Sequence, residues 1–340
     1  MKNVKKNVLY IGNKLSGKGK TVTTIEELGM RLEKDGYHIW YASSIENKVL
    51  RMLDMVLVFF KRVSQTDIVL IDTYSTFNFY YAVIIALLCS LKKLPYIPIL
   101  HGGNLENRLR NSHKLSKKLF SKSYTNIAPS RFLETTFKKY GYTNLTYIPN
   151  AIELTNYPFK KRESVSCKLL WVRSFASLYN PVMAVKVCET LIARGYKAEL
   201  CMVGPDKDGS LETCKSYALK NNIPVTFTGL LSKQEWIDLS KDYDVFINTT
   251  TIDNTPVSVL EAMALGLPVL STNVGGIPFL IEHGENGWLV GSNQIEEMVE
   301  GVKYLLDNSE KMKSITANAR AFVEDMDWEV VKLTWNKLLQ

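Results

Sequence analysis

The stretch "IDNTPVSVLEAMALGLPVLSTNVGGIP", residues 252–278, sets a polar loop, a helical run, a strand run and a second polar loop end to end. Pro256 is expected as the first helical residue with Thr255 as N-cap, because proline's fixed φ suits a first turn that has no use for its missing N–H. A helix that starts beside a polar loop turns its positive end toward that loop, so an anion is expected there. Along the run Val257, Leu260, Glu261 and Ala264 share one face, which places a carboxylate in an apolar stripe. Such a charge is costly to bury alone. Glu261 therefore needs donors, from the protein or from ligand hydroxyls, unless it lies at the helix edge and reaches water or a lysine.

The same alternation extends outward over almost the whole chain and predicts an α/β fold with parallel sheets. Strands are expected near 6–11, 37–41, 67–71, 95–99, 124–128 and 144–148, then near 168–172, 197–203, 225–228, 244–248, 268–271 and 287–290. The first helix shows the logic: Val22, Ile25, Leu28, Gly29 and Leu32 fall on one face, Thr23 and Glu26 can form a capping box, and Gly36 closes the run. "NAIELTNYPFKKRESVSC" breaks the pattern with a proline and a charge run, so a linker is placed at 153–166. Two Rossmann-like domains follow, 1–152 and 167–325. In open parallel sheets ligands bind beyond the carboxyl ends of the strands, and the loops expected there are rich in Gly, Asn, Thr and Ser.

Composition narrows the function. The chain has 340 residues, 46% of them hydrophobic and 22% charged, which is ordinary globular composition. Its five cysteines form no C-x-x-C pair, and its four histidines, at 38, 101, 113 and 283, have no metal-ligand spacing. These features suit a reducing cytosol and argue against a zinc site. The N-terminal apolar run is too short for a signal sequence. The most apolar run, Phe77 to Leu91, is shorter than the roughly 20 residues a spanning helix needs, and is expected as a buried helix. The net charge of +8 is uneven: residues 1–150 carry +13 and residues 151–340 carry −5.

Near the N-terminus, "YIGNKLSGKGKTVTT" resembles a Walker loop that misses its spacing by one residue in either register. A glycine-rich turn between a strand and a helix still brings backbone N–H groups toward an anion. Three D-x-D triplets, at 206–208, 242–244 and 325–327, are too frequent in one chain to mark a metal site.

With "LLWVRSFASLYNP", "VGPDKDGSL", "FTGLLSKQEW", "LHGGNL", "APSRFL" and "IPNAIEL" added to the stretch above, the chain resembles the family 4 retaining glycosyltransferases. The resemblance runs over nearly the whole length. It implies GT-B architecture: two facing Rossmann-like domains, the first binding a saccharide or lipid-linked saccharide acceptor, the second a nucleotide-sugar donor, and a crossover helix at 326–340. It also implies retention of configuration, a UDP-sugar in preference to a GDP-sugar, and no metal cofactor. The family's Glu-x7-Glu pair falls on Asp253 and Glu261, with Glu261 on the ribose hydroxyls and Asp253 near the donor sugar. Arg173 matches the basic residue that meets the donor phosphates, and Tyr179 stands where a lysine is expected; Lys207 or Lys18 would compensate. His101 matches a histidine near the donor sugar. Gly17, Lys18 and Gly19 match the loop facing the pyrophosphate, Gly229 and Leu230 the base contact, and Gly204, Asn254, Thr255, Pro256, Val257 and Ser258 complete the donor contacts. A GT-B epimerase or hydrolase is the alternative of the same architecture, and a P-loop nucleotide-binding protein the alternative of another class.

A basic stretch completes the expectations. Nine Lys or Arg lie between Leu105 and Tyr140, against Glu106 and Glu134. If Leu105, Leu109, Leu115 and Leu119 pack inward, Lys114, Lys117 and Lys118 project as a patch suited to an anionic membrane surface. Such a patch implies a cytoplasmic protein held peripherally on the inner face of the membrane. No nucleic-acid partner is expected.

Overall fold

The computed structural model describes residues 5–16, 22–102 and 104–340, so Gly17, Lys18 and Gly19 lie outside the described residues. The chain divides into two compact units, Met1–Pro149 with Lys332–Gln340, and Asn150–Val331. Each is built on one six-stranded parallel sheet.

In the first unit β1 (Asn7–Ile11), β2 (His38–Ala42), β3 (Ile68–Thr73), β4 (Tyr96–Leu100), β5 (Asn126–Ala128) and β6 (Leu145–Tyr147) are ordered β2-β1-β3-β4-β5-β6. Every residue of β3 and β4 is buried, as expected where helices cover both faces of a sheet. Helices α1 (Thr24–Lys34), α2 (Lys48–Arg62), α3 (Phe79–Lys92), α4 (Leu105–Asn111), α5 (His113–Phe120) and α6 (Arg131–Lys139) connect the strands. One core joins Met55 and Phe59 of α2, Ala82 and Ile85 of α3, Leu119 of α5 and Phe137 of α6 to Leu9, Val69 and Ile71 of the sheet.

The first helix begins as its capping residues require: the Thr23 backbone N–H donates to Glu26 at 2.9 Å, and Gly36 takes φ +91° after the last turn. Val22, expected on its buried face, instead precedes the helix and is exposed. The apolar run forms α3 with Phe79, Ala82, Ile85, Ala86 and Cys89 buried. No helix among the described residues is long and apolar enough to cross a membrane.

In the second unit β7 (Lys168–Val172), β8 (Glu199–Val203), β9 (Val225–Gly229), β10 (Val245–Asn248), β11 (Val269–Thr272) and β12 (Trp288–Val290) are ordered β12-β11-β10-β7-β8-β9. The helices are α7 (Pro181–Ala193), α8 (Ser210–Lys220), α9 (Lys233–Leu239), α10 (Val257–Ala264), α11 (Ile295–Asp307) and α12 (Ser309–Glu324). A last helix, α13 (Trp328–Leu339), starts in the second unit and ends among residues of the first. All twelve strands lie within two residues of their expected positions at either end.

Two expectations are corrected. The segment 153–166 is not a free linker, because Tyr157 is buried and the Arg162 guanidinium donates to the carbonyls of Gly266 at 2.8 Å and Tyr243 at 3.0 Å. Arg162 thereby satisfies carbonyls left unpaired where α10 ends, which the appearance of a solvated charge run concealed. Nor is Pro256 the first residue of α10. It is the N-cap, with ψ 113°, and the helix starts at Val257.

Candidate functional site

The order of the second sheet reverses between β10 and β7, and ligands of doubly wound sheets bind at such a switch point. Two candidate residues meet there. Arg173 directly follows β7, Asp253 lies in the loop after β10, and the Arg173 Nη2 donates to Asp253 Oδ2 in a partly buried ion pair. The guanidinium also lies 4.3 Å from the centre of the Tyr179 ring, stacked over it. Tyr179 is therefore a support for Arg173, a role that no reading of it as a missing lysine suggested.

That ring is placed by a hydrogen-bonded chain from the core. Fully buried Trp171 donates from Nε1 to Thr249 Oγ1 at 3.0 Å, and Thr249 donates to the Tyr179 carbonyl at 2.9 Å. The Thr251 N–H holds the Leu178 carbonyl at 2.9 Å. Asp208 fixes the other side of the loop by accepting from the Ser177 N–H at 2.8 Å. Those donors, the Ser177 amide first and then the Ser210 and Ser177 hydroxyls, hold the Asp208 carboxyl down at about 2. Asp206 accepts from the Gly209 N–H at 3.1 Å. Both carboxylates of this D-x-D triplet thus serve loop backbone, and no trio of His, Cys, Asp or Glu positioned for a metal occurs among the described residues.

Close backbone approaches shape the rest. Gly204 has φ +147°, and a Cβ there would lie 1.8 Å from the Arg173 carbonyl oxygen. At Gly275 and Gly276 a Cβ would lie 2.1 Å from the Asp253 oxygen and 2.0 Å from the Asn254 oxygen. The "VGG" of the opening stretch is thus where the β11 loop passes against the β10 loop, and the Gly276 N–H donates to the Asp253 carbonyl at 2.8 Å.

The helix after this loop is buried almost all round, with only Val257 half-exposed, so its apolar stripe is broader than one face. Glu261 is 4% exposed. Tyr157 donates its hydroxyl to Glu261 Oε1 at 2.7 Å, and Lys233 at the start of α9 donates its ammonium to the same oxygen. Both partners were missed in the sequence: Tyr157 lay in the presumed linker, and Lys233 is a single charge whose position only the Ser232 capping box reveals.

Polar atoms left unpaired cluster near the same strand ends. Arg173 Nε, Asn248 Oδ1, Thr255 Oγ1 and Ser258 Oγ are buried with no hydrogen-bond partner among the described residues. Buried polar groups are normally satisfied, so four orphans at the end of β10 and on the segments after β7 and β10 mark a place for a polar ligand. Asn254 is buried beside them, whereas Lys207 is exposed and its ammonium makes no ion pair among the described residues. Gly229, at φ +74°, accepts the Gly204 N–H at 2.8 Å, and Leu230 is largely exposed.

In the first unit the order reverses between β1 and β3. Asp72, at the end of β3, is fully buried. Its Oδ1 accepts from the Tyr10 hydroxyl at 3.0 Å and lies 2.8 Å from His101 Nε2, whose ring stacks on Tyr74 at 4.7 Å between centres. Burial, and then the charge of Asp72, push the Tyr10 and Tyr74 phenols well above their usual range, so both remain protonated donors. The other Asp72 oxygen is buried without a partner among the described residues, and a Cβ on Gly12 would lie 2.6 Å from it. His101 was expected; Asp72, Tyr10 and Tyr74 were not, since each sits in a run that reads as plain core strand or loop.

Comparison with known proteins accords with this geometry. Residues 158–322 match the family model described as glycosyl transferases group 1. Over 88 residues the chain is 39% identical to an uncharacterized glycosyltransferase of Haemophilus influenzae, covering 26% of this chain and 25% of the relative. It is 25% identical over 252 residues to the amylovoran biosynthesis glycosyltransferase AmsK of Erwinia amylovora, covering 67% and 59%. The chain thus spans a quarter to about three fifths of these relatives' lengths. Among solved structures, that of Anabaena HepE in complex with UDP-glucose has a TM-score of 0.78 at 16% identity over 98% of this chain and 99% of that one, which shows a shared fold. Residues 158–322, a little under half of the chain, thus resemble the glycosyl transferases group 1 family, and the two parallel-sheet units share the GT-B fold.

Proposed function

We propose that the protein is a retaining glycosyltransferase that moves a sugar from a nucleotide sugar to a saccharide or lipid-linked saccharide acceptor in cell-surface glycan synthesis. The observation that carries this reading is the Arg173–Asp253 pair at the switch point of the second sheet, with buried polar atoms lacking partners on Arg173 itself and on Asn248, Thr255 and Ser258, and with buried Glu261 eight residues after Asp253. The leaving nucleoside diphosphate gains negative charge as the glycosidic bond to it breaks. Arg173, the Thr255 and Ser258 hydroxyls and the amino end of α10 would receive that charge in a site closed to water. Glu261 would accept from the ribose hydroxyls, and Asp253 would lie against the donor sugar. Gly229 and Leu230 would meet the base. Attack by the acceptor oxygen on the face the diphosphate leaves, with its proton passing to a departing phosphate oxygen, keeps the anomeric configuration.

In the first unit His101, held by Asp72, is the candidate contact to the transferred sugar. Metal-independence is part of the proposal, supported by the engagement of Asp206 and Asp208 with loop backbone. The choice of UDP draws on HepE, solved with UDP-glucose, and the role in glycan synthesis on AmsK, named for amylovoran biosynthesis. A lipid-linked acceptor would bring the reaction to the cytoplasmic face of a membrane.

A thermal-shift panel of nucleotide sugars in EDTA, repeated with manganese in place of EDTA, and a separate assay of ATP and GTP hydrolysis with magnesium test the reading. A ligand that binds only the folded chain raises its melting temperature. One UDP-sugar should stand out in EDTA. Stabilisation only after manganese is added would overturn metal-independence, and steady hydrolysis of ATP or GTP would overturn the reading itself.

A further inference from the structure

Helix α2 is apolar on the side that faces solvent as well as on the side that faces the core. Met55 and Phe59 are fully buried, yet every exposed residue between Lys48 and Lys61 is apolar: Val49, Leu50, Leu53, Leu57 and Phe60, each more than half exposed. At 3.6 residues per turn these five fall within an arc of about 100°, a continuous stripe on the outer side of the helix. A surface helix normally turns charge outward, and an uncovered apolar stripe of this kind marks a contact surface.

The surrounding charge says what it contacts. Helix α2 packs beside α3, and α3 beside α5, in one layer over the sheet. From Lys48 to Lys122 the chain carries twelve Lys or Arg against Asp54, Asp67, Asp72 and Glu106, and α3 and α5 contain no acidic residue. Leu91 near the end of α3 is 78% exposed and is followed by Lys92 and Lys93. On α5 Lys114, Lys117 and Lys118 are exposed, whereas Arg131 and Lys138 on α6 are paired with Glu134.

We propose that the α2 stripe is an interfacial anchor, lying in the headgroup region of an anionic bilayer with the lysines of α3 and α5 on the phosphates. An amphipathic helix binds such a surface in plane when apolar area and flanking cations act together. At about 22 Å for fifteen residues, α2 is suited to lie in the interface. A two-fold pairing of this face with a second copy would set the same cations against one another. The proposal replaces attachment by the basic patch alone with attachment in which α2 contributes the buried area.

Co-sedimentation of the full chain with phosphatidylglycerol–phosphatidylcholine vesicles, and with phosphatidylcholine alone, tests it. Wild-type protein should pellet only with the anionic vesicles, and Leu53→Gln/Leu57→Gln/Phe60→Gln should lower partitioning at least tenfold while its melting temperature stays near wild type, since all three side chains are exposed. As a second measurement, Leu57→Cys is labelled with an environment-sensitive fluorophore, the five native cysteines being buried. Its emission should move to shorter wavelength with anionic vesicles. Equal pelleting of the triple variant, an unshifted label, or a wild-type dimer that the triple substitution dissociates would each overturn the proposal, the last by assigning the face to a second copy.

Discussion

Asp208 is exposed, yet the amide and hydroxyl donors of Ser177 and Ser210 hold its pKa at about 2, below the usual carboxylate value near 3.9. Because the folded value is the lower one, its contribution is fully present above about pH 4 and is lost as pH falls toward 2. The carboxylate fastens Ser177, which begins the turn that carries Tyr179 beneath Arg173. Asp208→Ala should therefore melt below wild type at pH 5, with a gap that narrows between pH 4 and 2. A gap independent of pH would show that the carboxylate charge is not what holds the turn. Sequence alone left this residue without a role, since a D-x-D triplet looks the same whether its oxygens face an ion or neighbouring amides. Glu261 was legible because one carboxylate in an apolar helix demands an explanation; its partners Lys233 and Tyr157 were not, because long-range pairing leaves no local pattern.

At the scale of elements, strands and helices follow from periodicity, but the loops that form the site follow from close approaches. The β11 loop meets the β10 loop through Gly275 and Gly276, whose missing side chains let two backbones touch. Gly276 has φ −88°, so an alanine there is not strained by its own backbone, and the Asn254 carbonyl must move instead. Gly276→Ala should lower the melting temperature and weaken nucleotide binding together, because the displaced segment holds Asp253 and Asn254. Calorimetric melting and nucleotide titration of the same sample check this; a change in one without the other would separate the loop contact from the site. The start of α10 shows the limit of propensity: proline suits both N1 and N-cap, and packing of the preceding loop against the glycine pair places Pro256 outside the helix.

For the whole molecule, two runs of six strand patterns were enough to predict two parallel sheets, because βα alternation leaves few topologies open. The strand orders were not legible, and they matter most, since they place Arg173 and Asp253 at one switch point and Asp72 near Gly12 at the other. The linker was misplaced because composition cannot distinguish a solvated charge run from an arginine buried on carbonyl oxygens. The second unit is proposed to hold a nucleoside diphosphate with Glu261 on its ribose. Calorimetric titration of UDP into wild type and Glu261→Gln tests it most directly. Replacing a charged acceptor by a neutral amide should weaken binding by about 10- to 100-fold, matching the roughly 1.5–3 kcal/mol of a hydrogen bond to a charged group, in a variant that still melts cooperatively. Equal dissociation constants for the two folded proteins, or no heat with wild type, would contradict it.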